Sequence, residues 1–272
     1  MWFVNHAESN DLFPQKQSAY RKGHSTETAV LHVLNDVIRA ADEGEVTALV
    51  LLDLSSAFDT VDHATLLQVL EKRFFVEGSA LMWFQSYLSD RSQVFRANGK
   101  DSKTIRVNCS VPQGSVLGPV EFISYTGDVT DIFERHHIGH HLFADDKQCY
   151  KSVAPSEVDL ARDCLRACVA DVRQWCQSRR LQLNSSKSEI IWLGTRHTLQ
   201  KITPSNVTLE IGDEVVQPAS VVRDLVVLID QELTLEQHVA KIASSCFYQL
   251  RRLKQVRRYV NNDVMAQLVA AS

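Results

Sequence analysis

Apolar positions fall three or four residues apart in some stretches and run without a break in others, which predicts helices interleaved with strands. Residues 1–24 are polar and broken by Pro14 and Gly23, so they are expected to be irregular. Ser25 is placed to cap a helix running to about Asp42, with Val30, Leu34, Val37, Ile38 and Ala41 on one face and Gly44 as its stop. The apolar run at 46–54 reads as a buried strand. Asp62 can cap a second helix carrying Leu66, Leu67, Val69, Leu70 and Phe74, and a third begins at Ser79. Residues 93–107 read as a hairpin turning at Asn98-Gly99, a pair that tolerates the positive φ of a tight turn. A helix is expected at 115–126, and a hairpin at 140–150 with Asp145 and Asp146 at its turn. An amphipathic helix at 157–178 would bury Leu160, Cys164, Leu165, Cys168, Val172 and Trp175. Short strands at 181–183 and 189–193 and a helix at 235–259 complete the pattern. Helices mixed with hairpins indicate an α+β fold rather than a doubly wound sheet.

The chain has 272 residues, 44% apolar and 23% charged, as expected of a folded globule holding one large domain or two small ones. The formal net charge is −4, so there is no global basic signal for nucleic acid, and any such binding must use a local basic track. The six cysteines include no Cys-x-x-Cys pair. Cys164, Cys168 and Cys176 recur at helical spacing and read as small buried apolar residues. The apolar runs are too short to cross a bilayer, and the opening residues resemble neither a signal nor a transit peptide. An intracellular setting is expected, nucleus or cytoplasm, with no membrane association and no secretion.

The candidate chemistry lies in carboxylates. Asp53 ends the apolar run Leu49-Val50-Leu51-Leu52, and Asp145-Asp146 sit at a hairpin tip, where adjacent like charges repel unless a cation holds them. If those two strands are neighbours, the carboxylates could bridge divalent ions. Taken alone, turn aspartates are commonly just solvated, because Asp supports turn geometry through its own side chain. The loop Val111-Pro112-Gln113-Gly114-Ser115 between them could fit a nucleotide edge. His136, His137, His140 and His141 form a histidine cluster, but strand alternation would point them to opposite faces, and they read as loop and strand surface.

Several segments in order resemble those of non-LTR retrotransposon (LINE-type) reverse transcriptases. Leu51-Leu52-Asp53-Leu54-Ser55-Ser56-Ala57-Phe58-Asp59 resembles the first catalytic motif, 111–119 the second and Phe143-Ala144-Asp145-Asp146 the third. Asn184-Ser185-Ser186-Lys187-Ser188-Glu189 resembles the fourth, 17–29 the segment before the palm, and 221–228 the primer grip. The resemblance implies a right-hand polymerase palm with partial fingers and a partial thumb. It divides the chain into 1–44 (remnant of fingers and a connecting helix), 45–200 (catalytic palm) and 201–272 (primer grip and partial thumb).

The resemblance implies RNA-directed DNA polymerisation by two-metal nucleotidyl transfer, with Mg2+ as cofactor (two ions; Mn2+ as a substitute). RNA template, DNA primer and deoxynucleoside triphosphates would be the partners. Asp53, Asp145 and Asp146 would be the catalytic and metal-binding carboxylates, Asp53 and Asp145 holding the ions and Asp146 supporting them. Phe58 would sit under the sugar and reject a 2′-hydroxyl, and Gln113 and Gly114 would touch the nucleotide or template. Lys187 would lie near the leaving pyrophosphate. Arg251, Arg252, Lys254, Arg257 and Arg258 would face backbone phosphates. Read without the resemblance, Phe58 is a core residue, Lys187 a solvated lysine and the basic helix a solvated face.

Departures from the family pattern suggest a partial, decaying copy that begins after the triphosphate-gripping fingers. Val226 stands where the primer grip has Gly, Glu121 where an apolar residue is usual, Gly127 where Asn is, and Lys147 where Thr is. The alternative reading is therefore an inactive remnant that at most binds nucleic acid.

Overall fold

The structure is a computed structural model describing residues 2–112, 114–202, 207–212 and 214–270. Helix α1 (Trp2–Ser9) opens the chain, although its sequence predicted none. Only Phe3 and Ala7 of its eight residues are buried, too few to show a period. Tertiary packing holds it instead: Phe3 meets Phe13, Phe74 and Phe84 at ring-centroid distances of 5.5–6.4 Å.

Helix α2 (Thr26–Asp42) starts where Ser25 accepts the Thr28 N–H while Thr28 Oγ1 accepts the Ser25 N–H, a reciprocal cap. Its buried face is Ala29, Val30, Val33, Val37 and Ala40, so Ile38 points out. Strand β1 (Val46–Ser55) leads to α3 (His63–Lys72), whose Thr65 N–H donates to Asp62 at 2.9 Å, and to α4 (Gly78–Leu88). The exposed arm that follows pairs β2 (Ser92–Gln93) with β5 (Ile105–Arg106) and β3 (Arg96–Ala97) with β4 (Lys100–Asp101). Asn98 and Gly99 both have positive φ at its tip, as the turn requires.

Helices α5 (Gly118–Thr126) and α6 (Thr130–Arg135) precede the hairpin of β6 (Gly139–Phe143) and β7 (Asp146–Val153). Helix α7 (Val158–Ser178) buries Val158, Ala161, Leu165, Cys168, Val169, Val172 and Cys176, and Leu160 lies outside. The two short strands expected next are one, β8 (Gln182–Leu193). A short α8 (Arg196–Leu199) is followed by the hairpins β9 (Leu209–Ile211)–β10 (Glu214–Val216) and β11 (Val221–Asp224)–β12 (Val227–Asp230). Helices α9 (Glu236–Val256) and α10 (Asn262–Ala270) close the described chain.

The central antiparallel sheet has the order β6-β7-β1-β8. β1 lies inside it and is buried on both faces, which explains its unbroken apolar run. Val46, Ala48, Val50, Leu52 and Leu54 join the larger core with α1, α3–α7 and β9. Leu49 joins a second core with Val33, Val37, Tyr150, Ile191, Leu193, Val222 and Ile229, which brings α2 and the β11–β12 hairpin to the opposite face. The free edge of β6 is covered by residues 16–18: Leu142 N–H donates to Lys16 O at 2.8 Å, and Ser18 N–H to Leu142 O at 3.0 Å.

Candidate active site

Antiparallel register determines which side chains share a face. Leu52 pairs with Lys147, and Leu51 with Gln148. One residue further along the ladder, Asp53 of β1 stands beside Asp146, the first residue of β7. Asp53 and Asp146 therefore emerge on the α2 side of the sheet, on the same face as Leu51, Gln148 and Glu189. The expected turn needs a correction here. Phe143 pairs with Asp146, so the turn is Ala144-Asp145 alone, with Ala144 left-handed (φ 56°), and Asp146 is already in the strand.

Two features deliver the other groups to this end of the sheet. Leu51 pairs with Glu189 and Asp53 with Asn184, so β8 uses five steps where β1 uses two. The three extra residues bulge out, which carries Lys187 into the cleft. Ser188 Oγ holds the bulge by donating to Asn184 O at 2.8 Å, and Ser186 Oγ donates to Asn184 Oδ1 at 2.8 Å. The β11–β12 hairpin supplies Arg223, Asp224 and Leu225 from above. Its left-handed residue is Leu225 (φ 51°), not Val226, so the valine escapes the strain expected of a β-branched residue replacing glycine.

These residues enclose a cavity of about 200 Å³, lined by Asp53, Asp146, Lys187, Glu189, Arg223 and Asp224 among others. Asp145 lies outside that lining, in the turn, where its charge helps burial raise the Tyr20 phenol. Gln17 holds the turn from behind: its Oε1 accepts the N–H of Ala144 at 3.3 Å and of Ala19 at 2.8 Å.

The field in the cleft is crowded with negative charge. Asp146 has its carboxyl raised by burial in the cleft and by Asp145 and Asp53, with Lys147 pulling the other way. Lys147 is 1% exposed, and its Nζ donates to Asp145 O at 3.1 Å. Burial lowers its pKa, while Cys176 and the three aspartates favour its charged form. Asp224 is pushed up to about 6 by burial, against the pull of its hydrogen bond from Gln148 and with Asp146 adding to the rise. Glu189 is also raised by burial.

Among the described residues no three His, Cys, Asp or Glu side chains are gathered closely enough to hold a metal ion. The donors facing the cavity are nevertheless carboxylate oxygens, the type hard divalent cations prefer, and beyond desolvation the rise of Asp146 includes repulsion from Asp145 and Asp53 that a cation would relieve.

Phe58 is half-buried and stacked on Phe122 at 4.2 Å, so it is packed by the core and open on its other side. Gln113 lies outside the described residues. Gly114 is exposed at φ 77° with open space around it. Arg251, Arg252, Lys254, Arg257 and Arg258 are all exposed on α9 and the turn after it, and among the described residues none pairs with a carboxylate. No residue of α9 is buried, so its apolar face (Val239, Ile242, Leu250) is as open as its basic one. The histidines do not converge. His140 and His141 are buried rather than on the surface, His140 stacked on Phe133 and His141 on His32.

Sequence reasoning missed Gln17, Gln148, Arg223 and Asp224. The alternation of 146, 148 and 150 on one strand face was the available signal for Gln148. Asp224 lay within the 221–228 segment, but nothing local marked its contact with Gln148, a partner 76 residues away.

A four-stranded antiparallel sheet with carboxylates meeting at a central strand and the neighbouring hairpin, backed by helices, defines a polymerase palm. Residues 3–212 match the family model "Reverse transcriptase (RNA-dependent DNA polymerase)". The chain belongs to this reverse transcriptase family and is of the non-LTR, LINE type. It is 25% identical over 252 residues to the probable RNA-directed DNA polymerase from transposon BS of Drosophila melanogaster, covering 89% of this chain and 26% of that protein. It is 29% identical over 243 residues to the corresponding protein of the X-element of the same organism, covering 88% and 25%. The chain thus spans about a quarter of the length of these curated relatives. Apo telomerase from Candida tropicalis, truncated from its C-terminal domain, shares the fold at TM-score 0.59 and 13% identity, over 86% of this chain and 43% of that one.

Proposed function

We propose that this chain performs RNA-directed DNA synthesis, adding deoxynucleotides to a primer at the cleft between Asp53, Asp146 and Lys187. The observation that carries the reading is the shared face and shared cavity of Asp53 and Asp146, two carboxylates 93 positions apart, in a chain of this family. In the reaction the primer 3′-hydroxyl oxygen bonds to the α-phosphorus, the bond from that phosphorus to the bridging oxygen breaks, and pyrophosphate leaves.

Two Mg2+ ions, held by Asp53 and Asp146 with Asp145 beside them, would supply activation of the hydroxyl and shielding of the departing charge. The chain's own groups do the positioning. Lys187, carried out on its bulge, presents an ammonium to the leaving pyrophosphate. Phe58, braced by Phe122, gives the sugar a rigid floor that excludes a 2′-hydroxyl. Gly114, free of close neighbours, lets the 111–119 loop approach a base pair, and Gln113 belongs to the same loop. The β11–β12 hairpin would hold the primer end, and α9 would run its basic face along the duplex.

In this reading 45–200 is the palm, 1–44 the fingers remnant with its connecting helix, and 201–272 the primer grip and partial thumb. The enzyme works inside the cell, in nucleus or cytoplasm; among the described residues no helix is long and apolar enough to cross a membrane. A telomerase of the same fold has been captured with telomeric RNA, which accords with an RNA template here.

Primer extension on an RNA template with Mg2+ and deoxynucleotides tests the proposal. Incorporation that Asp53→Ala and Asp146→Ala each abolish supports it. Template binding without incorporation by the folded wild-type chain would replace it with a binding remnant.

A further inference from the structure

Asp224 ends β11, and Gln148 lies within β7 on the face that carries Asp146. They belong to different sheets, 76 positions apart, yet Gln148 Nε2 donates a hydrogen bond to Asp224 Oδ1. Both residues are almost fully covered, at 1% and 2% exposure. The other polar atom of each, Gln148 Oε1 and Asp224 Oδ2, is buried without a hydrogen-bond partner among the described residues. An unpartnered buried acceptor on each residue costs more than the one bond between the residues returns.

We propose that the Gln148–Asp224 pair is a positioning latch, which fixes the β11–β12 hairpin against the strand that carries Asp146. An acid and a primary amide can exchange two hydrogen bonds, amide N–H to acid oxygen and acid O–H to amide oxygen, so a proton on Asp224 Oδ2 directed at Gln148 Oε1 would satisfy both orphaned atoms. Asp53, Asp146 and Glu189 line the same cavity, together with the cations Lys147, Lys187 and Arg223. Beyond this pair, the hairpin meets the sheet through the small apolar core of Val222 and Ile229 and the contact of Ala219 with Ile190. The latch is therefore a buried polar contact that ties the hairpin to the strand carrying Asp146.

The latch rests on the proposed polymerase reading for its consequence, but not for its existence, so two measurements separate them. The first is hydrogen exchange of the 221–230 amides in the wild-type chain, Gln148→Ala, Asp224→Ala, the double variant and Asp224→Asn. Each alanine variant is expected to raise exchange about tenfold, with the double variant raising it no further. Asp224→Asn should restore protection, since two amides can also exchange two hydrogen bonds; it also guards against a variant that simply fails to fold. Independent, additive effects of the two alanines, or an Asp224→Asn as unprotected as Asp224→Ala, would overturn the latch. The second measurement is primer extension. The alanine variants should raise the KM for primer–template while leaving the KM for deoxynucleotide unchanged, and Asp224→Asn should revert this. If the wild-type chain incorporates nothing, the polymerase reading fails and the exchange data alone decide the latch. If the chain is active and the alanine variants leave the KM for primer–template unchanged, the latch has no positioning role and the proposal falls.

Discussion

Replacing Glu121 should stabilise this protein, and more so at high pH than at low. Glu121 lies in α5 with no exposed surface, and neither carboxylate oxygen has a hydrogen-bond partner among the described residues. Burial pushes its pKa up to about 7, with Arg91 pulling weakly the other way. The sign follows from linkage. The unfolded chain releases this proton near pH 4.5 and the folded chain near 7, so stability is lost as pH rises between those values. Above that window the loss reaches about 3 kcal/mol, at 1.36 kcal/mol per unit of pKa. Glu121→Gln removes the charge but keeps a buried polar group, so it should abolish this part of the pH dependence. Glu121→Leu removes the unpartnered polar group as well, worth about 1–3 kcal/mol more. For a chain of this size a gain of about 3 kcal/mol is a Tm rise on the order of 6–12 °C. Urea unfolding followed by circular dichroism at pH 5 and pH 8.5 checks it. A difference between wild type and Glu121→Leu that is equal at the two pH values, or a leucine variant less stable than wild type, refutes the reasoning.

Other substitutions test other parts of the structure. Leu225→Gly, at a turn residue with φ 51°, should raise stability by about 1 kcal/mol in thermal unfolding, because glycine occupies that region without strain. Asp62→Ala removes the cap of α3 and the 2.8 Å pair with Arg180, and should cost about 1–2 kcal/mol by the same assay. Neutralising Arg251, Arg252 and Lys254 together should flatten the salt dependence of duplex binding by about 0.9 in log–log slope per lost phosphate contact, and a slope unchanged from wild type would remove α9 from the interface. Phe58→Val should admit ribonucleotides in competition assays, and unaltered sugar selectivity would return Phe58 to a purely packing role.

Local signals carried much of this fold. Ser25 and Asp62 cap the helices expected of them, and Asn98-Gly99 turns the arm, because caps and turns are settled by a few adjacent residues. The long helix was legible, but its face was displaced by one or two positions: Leu160 is exposed while Val158 and Ala161 are buried, since neighbouring elements decide which edge of an apolar stripe is covered. Helix α1 and the continuity of β8 were not legible. The first is held by aromatic contacts with Phe74 and Phe84, and the second pairs with β1 on both sides of a bulge whose polar residues read as an interruption. At the site, motif order marked Asp53, Asp145 and Asp146, with Asp53 and Asp145 expected to hold the ions. The structure instead puts Asp146 in the cavity with Asp53 and leaves Asp145 in the turn, because the turn is only two residues long. The buried charges were not legible as buried. Glu121 and Lys147 stood out only as departures from the family pattern and Asp224 only within the primer-grip segment, because polarity predicts exposure unless long-range packing overrides it.

The central claim is that Asp53 and Asp146 act as one catalytic site. Single-turnover incorporation of one deoxynucleotide on an RNA template should be measured for Asp53→Asn, Asp146→Asn and the double variant, all confirmed folded and bound to template. Groups acting as a unit lose their effect together, so each single change should cost about 10³-fold or more and the double change little beyond that. Losses that multiply in the double variant, or a single variant that retains near wild-type incorporation, would contradict the account.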